Sequence, residues 1–314
     1  MRALVFDKQL ELREVPYPIL NTGEALLKIR VAGICNTDLE IMRGYKGFSG
    51  ILGHEFVAEI VDGVPDKIGQ RVVGEINVSC GNCDFCRRQI PSQCRHRSAI
   101  GIFDHDGAFA EYLTLPIENL HAVPDSISDE QAVFTEPLAA ACQILRQVHI
   151  QPNDKVIVIG AGKLGLLCAQ VIKLTGADLS VIVRHDRQIQ LLEKWGIRAV
   201  YRDELNNARS QFIIDCTGAE SGFADALDLV EPQGTIVLKS TYEGLPQIDL
   251  TRIAVEEITV VGSRCGSFVT ALRYLEHRLI DVQGMIDGQY SLEDGLRAMD
   301  LASQKGILKV LLKV

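Results

Sequence analysis

The chain has 314 residues, 47% of them hydrophobic and 23% charged, with a formal net charge of −9 at pH 7. This is the make-up of a globular protein long enough for two domains. The acidic balance, with no basic stripe interleaved with aromatics, argues against nucleic acid as a partner. No apolar run approaches the ~20 residues that cross a bilayer, and Met1–Asp7 has no apolar signal core, so the expectation is a soluble cytoplasmic protein without membrane contact.

Residues 1–135 read as β-rich. Strand-like runs occur at Ala3–Phe6, Ala25–Ala32, Phe56–Val61 and Phe109–Leu115, punctuated by Pro16, Pro18, Gly23, Gly53, Gly63, Gly69 and Gly74. Two sets of metal-type ligands fall in this stretch. The first is Cys35 with His54 and Glu55. The second is Cys80, Cys83, Cys86 and Cys94, a C-x2-C-x2-C-x7-C lobe at about 78–97. Four thiolates satisfy the tetrahedral preference of Zn²⁺ and leave no open position, which marks a structural site. A disulfide framework is the competing reading, but such domains are small and secreted. The other five of the nine cysteines (Cys35, Cys142, Cys168, Cys216, Cys265) are scattered, mostly in apolar segments where cysteine acts as a small hydrophobe. Arg87, Arg88, Arg95 and Arg97 flank the lobe and offset the charge of a zinc tetrathiolate. One closed cage and one incomplete set together suggest an enzyme with a structural and a catalytic zinc. Taken singly, Cys35 has a dull reading as a core cysteine and His54 as a satisfied polar side chain.

An Ala/Leu-rich helix follows at Thr135–Ile150, ended by Gln151-Pro152-Asn153-Asp154. From Lys155 strands and helices alternate: strand Val156–Ile159, helix Lys163–Leu174, strand Ser180–Val183, helix Arg187–Lys194, then strands at Phe212–Asp215, Thr235–Leu238 and Thr259–Val261. Alternation of this kind builds a parallel sheet with right-handed crossovers. The tail carries a helix at Thr270–His277 and a closing strand at Leu308–Leu312, which is expected to return to the first domain.

Gly160-Ala161-Gly162-Lys163-Leu164-Gly165 is a GxGxxG between an apolar strand and a helix. The first glycine permits a tight turn, the second lets the backbone approach a pyrophosphate, and the third allows close helix–strand packing. The helix N-terminus then holds the phosphates. In an NAD site an acidic residue ~20 positions on bonds the ribose 2′-hydroxyl. Here that position falls by spacing on the neutral Val183, while Arg184, His185 and Arg187 carry the chemistry to neutralise a 2′-phosphate. The reading leans to NADP(H). The opposing reading brings Asp186 back to the ribose and leaves the arginines in solvent.

Gly33–Leu39, Gly53-His54-Glu55, the four-cysteine lobe, Gly107–Tyr112, Glu136-Pro137-Leu138 and Gly160–Gly165 together resemble the zinc-containing medium-chain dehydrogenase/reductase family, the alcohol and polyol dehydrogenases. The resemblance covers essentially the whole chain. It implies an α/β fold, a GroES-like β-rich catalytic domain plus a Rossmann doubly wound parallel sheet. The implied domains are a catalytic domain at 1–135, a dinucleotide-binding domain at 136–268, and a return to the catalytic domain at 269–314. It implies a catalytic zinc on Cys35 and His54. No cysteine precedes Cys142 on the interdomain helix, which resembles the polyol and sugar branch, where Glu55 ligates zinc and Glu136 binds it directly or through its water. Glu136 can instead be a helix-start carboxylate stabilised by the dipole. The implied reaction moves hydride between a secondary alcohol and NAD(P), with Thr37 accepting the alcohol proton and Asp38 orienting His54. The implied partners are a small alcohol or carbonyl substrate and further copies of the chain, as a homodimer or homotetramer. Glu40 stands where some relatives have a proton-relaying histidine, and the Cys35–His54 and Glu55–Cys80 segments are short for the family.

Overall fold

The computed structural model describes residues 1–206, 208–241 and 247–314. The chain divides into one unit of Met1–Glu136 with Phe268–Val314 and a second of Pro137–Ser267. Among the described residues no helix is long and apolar enough to cross a membrane.

The first unit is built on a seven-stranded sheet. Its path runs Leu120–Ala122, Arg71–Gly74, Glu55–Asp62, Glu24–Gly33, Lys309–Lys313 and Ile286–Ser291, with Tyr112–Pro116 also paired to Glu24–Gly33. The ten-residue strand Glu24–Gly33 is the hub. Its inward positions Ala25, Leu27, Ile29 and Val31 alternate with more exposed ones, the period-two pattern of a half-buried strand. Gly33 pairs with Glu55 on one side and with Leu311 on the other. That register brings three distant stretches, around residues 35, 55 and 309, to one end of the sheet. Gly33 is needed there: a Cβ would stand 2.6 Å from Val133 and 2.8 Å from the Glu55 carboxylate. Leu4, Leu27, Ile29, Ile34, Leu52, Phe109 and Leu115 are among the fully buried side chains of the core.

The strand expected at Phe109–Leu115 is found at Tyr112–Pro116. Phe109 lies outside that ladder because its backbone is used elsewhere, its N–H donating to Leu52 at 2.9 Å and its carbonyl accepting from Leu4 at 2.8 Å. In the tail, the expected helix and last strand appear at Phe268–Glu276 and Lys309–Lys313. The strand Ile286–Ser291 and the helix Gly295–Ala302 have no counterpart in the sequence reading. Ile286–Ser291, Ile-Asp-Gly-Gln-Tyr-Ser, is an edge strand with little apolar content, so its pattern is weak.

The second unit is a six-stranded, wholly parallel sheet. In space the strands run Arg198–Val200, Asp178–Ile182, Lys155–Ile159, Ser210–Asp215, Val230–Leu238 and Thr259–Gly262. Numbered by sequence, this is the 3-2-1-4-5-6 order of the doubly wound dinucleotide-binding fold. The order reverses between Lys155–Ile159 and Ser210–Asp215, and ligands of such sheets bind beyond the carboxyl ends of the strands at that point. Helix Lys163–Lys173 packs across the sheet with every residue from Gly165 to Ile172 buried. Among the described elements of this unit, the three-residue strand Arg198–Val200 and the helices Ser221–Leu229 and Leu250–Val255 have no counterpart in the sequence pattern.

Candidate metal centres and coenzyme loop

Cys35 caps the helix Asn36–Met42. Its sulfur accepts from the Thr37 N–H at 3.5 Å and lies 3.6 Å from the Thr37 hydroxyl. Asp38, fully buried in the first turn, reaches back in two directions. Its Oδ2 accepts from the Cys35 N–H at 2.8 Å, and its Oδ1 lies 3.2 Å from His54 Nδ1. The second contact is a charge contact off the hydrogen-bond line, and neither atom has a hydrogen-bond partner. One carboxylate thus lies against both Cys35 and His54 and leaves Nε2 as the nitrogen that a metal would take, the usual arrangement behind a metal-bound imidazole. Burial opposes the imidazolium, but the charges of Asp38 and Cys35 outweigh it and raise the His54 pKa well above its ordinary 6.5.

Cys35, His54 and Glu55 each offer a donor atom, all within 4.8 Å of one another. A thiolate, an imidazole and a carboxylate are the donor types of a catalytic zinc with a position left open, so the residues present fit the metal. Glu55 is 1% exposed and forms an ion pair through Oε2 with Lys309, itself 2% exposed. The Phe134 ring centroid lies 5.5 Å from the Lys309 ammonium. Burial works against the charge of Lys309, but Glu55, Cys35 and Asp38 overcome it and raise its pKa. The sequence reading missed Lys309. The available signal was a lysine in the otherwise apolar run Leu308–Leu312.

Glu136 stands outside this cluster of three, half-buried in the first turn of the helix Thr135–Gln147. Thr37 is half-buried beside the Cys35 sulfur. Glu40, on the solvent side of the helix, pairs with Arg43 at 2.6 Å.

The four lobe cysteines also converge within 4.8 Å. Sulfur separations are 3.5 Å for Cys83–Cys86, 3.8 Å for Cys83–Cys94 and 3.5 Å for Cys80–Cys94. A tetrahedron with Zn–S bonds of ~2.3 Å has edges of ~3.8 Å, so the lobe fits zinc without rearrangement. Backbone N–H groups of Cys80 and His96 point at Cys94 Sγ, each at 3.3 Å. Those of Arg95 and Cys86 lower the Cys83 thiol to about 6. The arginines do more than dilute charge. Arg95 grips Asp84 with two bonds of 2.6 and 2.9 Å and stacks over Phe85, while Arg87 and Arg97 hold the Asn82 and Ser92 carbonyls.

In the second unit, Gly160 adopts φ 96° against the Cys216 backbone. A Cβ on Gly165 would lie 1.8 Å from the Gly160 carbonyl oxygen, so that position admits only glycine. A Cβ on Gly162, which precedes Lys163 and Leu164 at the start of the helix, would meet nothing within 4 Å. Two glycines are therefore demanded by packing, and the third faces open space at a helix N-terminus, where a pyrophosphate would approach. Val183, the neutral residue that spacing puts at the ribose position, is 3% exposed and part of the core. Arg184 and His185 are the first exposed residues after the strand Asp178–Ile182. Asp186 and Arg187 open the next helix, Asp186 exposed and Arg187 half-buried.

Residues 21–125 match the family described as alcohol dehydrogenase GroES-like domain, and residues 164–279 the family described as zinc-binding dehydrogenase. D-arabinitol dehydrogenase 1 of Uromyces fabae is 30% identical, over 100% of this chain and 97% of that protein. Among solved structures, the alcohol dehydrogenase RspB of E. coli CFT073, complexed with NADH, superposes with a TM-score of 0.91 at 28% identity, covering 100% of this chain and 99% of that one. A zinc-binding dehydrogenase of Sinorhizobium meliloti 1021, bound to NADP, does so with a TM-score of 0.91 at 27% identity and the same coverage.

Proposed function

The chain belongs to the zinc-containing medium-chain dehydrogenase/reductase family, and from that premise we propose that it oxidises a secondary alcohol of polyol or sugar type, passing hydride to a nicotinamide coenzyme, NADP ahead of NAD. The convergence of Cys35, His54 and Glu55, braced by Asp38, is the observation that carries this reading. Residues 1–135 and 269–314 serve as the catalytic domain and 136–268 as the coenzyme domain. The polyol preference rests on the D-arabinitol-oxidising relative and on the absence of a cysteine between Phe134 and Ala141. The coenzyme preference rests on Arg184, His185 and Arg187, since one similar structure holds NADH and another NADP.

When bound, zinc supplies a Lewis acid that acidifies the substrate hydroxyl, and the nicotinamide supplies the two-electron acceptor. The protein does the rest. Cys35, His54 and Glu55 hold the metal, Asp38 keeps the His54 ring aimed, and Lys309 fixes one oxygen of Glu55, leaving the other as the ligand. Thr37 accepts the alcohol proton, and Glu136 supports the site from the start of its helix. Glu40, where some relatives have a proton-relaying histidine, is held in an exposed ion pair with Arg43. Gly160, Gly162, Lys163, Leu164 and Gly165 hold the pyrophosphate. The assembly is a homodimer or homotetramer in the cytoplasm.

The test combines metal analysis with a substrate screen. Zinc-replete protein should hold two zincs per chain, one of them removed by a mild chelator with loss of activity. A panel of alcohols, polyols and aldoses should show coenzyme reduction fastest with polyols and with NADP. Cys35→Ser should retain the fold and the lobe zinc and lose turnover. A single tightly held zinc, with no coenzyme reduction by any panel member, overturns the proposal in favour of a nucleotide-sensing protein.

A further inference from the structure

Gln188 lies in the first turn of the helix Asp186–Lys194 and is half-buried. Its Oε1 accepts from the Arg184 N–H at 2.8 Å and from the His185 N–H at 3.2 Å. This is ordinary capping chemistry, in which a Gln or Glu at the third helical position reaches back to free N–H groups. The other end of the same amide does something different. Its Nε2 donates to the carbonyl of Ala161 at 2.8 Å, 27 residues away in sequence. Ala161 is 3% exposed and sits between the left-handed Gly160 and the helix-capping Gly162. One carboxamide therefore ties the pyrophosphate loop to the segment where the second strand ends.

We propose that Gln188 is a positioning residue for the coenzyme, setting the distance between the pyrophosphate loop and the Arg184–His185 segment that meets the adenosine ribose. This rests on the nicotinamide-coenzyme reading above. The pyrophosphate and the adenosine ribose are joined in one ligand, so affinity depends on both subsites being presented at a fixed spacing. Gln188 also occupies the N–H groups of Arg184 and His185. A ribose 2′-hydroxyl or 2′-phosphate consequently meets the side chains of that segment rather than its backbone donors. Only an amide does both jobs. A glutamate keeps the two acceptor bonds and adds a favourable charge at the helix N-terminus, but it has no donor for the Ala161 carbonyl.

The test uses the full chain with Gln188→Glu and Gln188→Met. Dissociation constants for NADP, NAD and the one-subsite fragment adenosine 2′-phosphate are measured by calorimetry, and the unfolding midpoint is measured without coenzyme. Both variants should bind the dinucleotides about tenfold more weakly, the full effect of one buried hydrogen bond. They should bind the fragment within about twofold of wild type and raise the coenzyme KM while kcat at saturation stays put. Gln188→Glu should melt within a few degrees of wild type, the charge at the helix N-terminus offsetting part of the lost bond to Ala161. Unchanged dinucleotide binding in Gln188→Met overturns the inference, since any loss in the glutamate variant is then charge repulsion alone. Equal losses for fragment and dinucleotide also overturn it, because the damage is then local to the adenosine side. A wild-type chain that binds neither dinucleotide sinks the coenzyme reading, and this inference with it.

Discussion

Lys309→Met reads out the proposed catalytic metal site without touching Cys35, His54 or Glu55. The ammonium pairs with Glu55, and the two side chains are 2% and 1% exposed. Methionine keeps a stem of similar length beside Gly33 and Phe134 and removes only the charge. The Glu55 carboxylate is then left buried without its cation, a loss of about 3–5 kcal/mol. For a unit of this size that corresponds to a melting point roughly 10 °C lower in protein stripped of its labile metal. Bound zinc faces Glu55 with its own positive charge, so the deficit should shrink as zinc is added, and the variant should bind catalytic zinc more tightly than wild type. Thermal unfolding followed by circular dichroism, with and without the labile metal, is compared for Lys309→Met, Glu55→Gln and the double variant. The double variant should recover most of the loss, since no unpaired charge remains. The reasoning fails if metal-free Lys309→Met melts with wild type, or if it loses as much in the Glu55→Gln background as alone.

Cys83→Ser should lower bound zinc by about one per chain and open residues 80–97 to limited proteolysis, because a structural zinc contributes folding energy outright; unchanged metal content by mass spectrometry counts against the cage. Asp129 accepts from Arg30 at 2.7 Å and Arg71 at 2.8 Å; burial opposes its charge, but the two guanidiniums hold its carboxyl below the usual range. A depressed folded pKa contributes stability that is present above the unfolded value of about 3.9 and lost as pH falls through the folded one. Asp129→Asn should therefore be less stable than wild type at pH 7, with the gap narrowing as the pH falls below about 3.9, as read by urea unfolding; a constant gap at all pH values contradicts this. His54 has the opposite sign. Its raised pKa favours the imidazolium, which cannot ligate, so zinc affinity should begin to fall on acidification while the pH is still above 6.5. Asp38→Asn should move that fall to lower pH, and a zinc titration that is flat between pH 8 and 6 rules the coupling out.

The parts of this protein that are short-range in sequence are the parts its sequence displays. The four lobe cysteines fall within fifteen consecutive residues, and their spacing alone forecasts the sulfur cluster. The glycine loop is likewise local, and the steric demand at Gly165 comes from a carbonyl five residues back. The ribose end of the loop is less legible, because spacing leads to the buried Val183 and counting residues does not reveal which of the exposed residues after it would meet a ribose. Phe109 was drawn into a strand because its apolar character predicts burial but not which backbone partners claim its N–H. Lys309 and Gln188 share a deeper reason for being missed. Their partners lie 254 and 27 residues away, and a lysine in a short strand or a glutamine in a first turn has a commonplace local explanation.

Lys309 also explains how so much charge is tolerated in one dry place. Asp38, His54, Glu55 and Lys309 are all buried, with Cys35 half-buried beside them. Isolated charges in such surroundings are prohibitive, so the set must close on itself. Two formal carboxylates face one ammonium, and a protonated His54 offsets negative charge that Lys309 alone does not. A bound zinc would bring positive charge of its own to Cys35, His54 and Glu55, in place of the proton on His54. The brace from Asp38 and the pair with Lys309 are therefore parts of one arrangement. Asp38 supplies the charge that draws His54 toward its protonated form, and Lys309 supplies the cation that faces the Glu55 carboxylate. Removing Lys309 leaves the carboxylates of Asp38 and Glu55 without that offset whether or not a metal is bound.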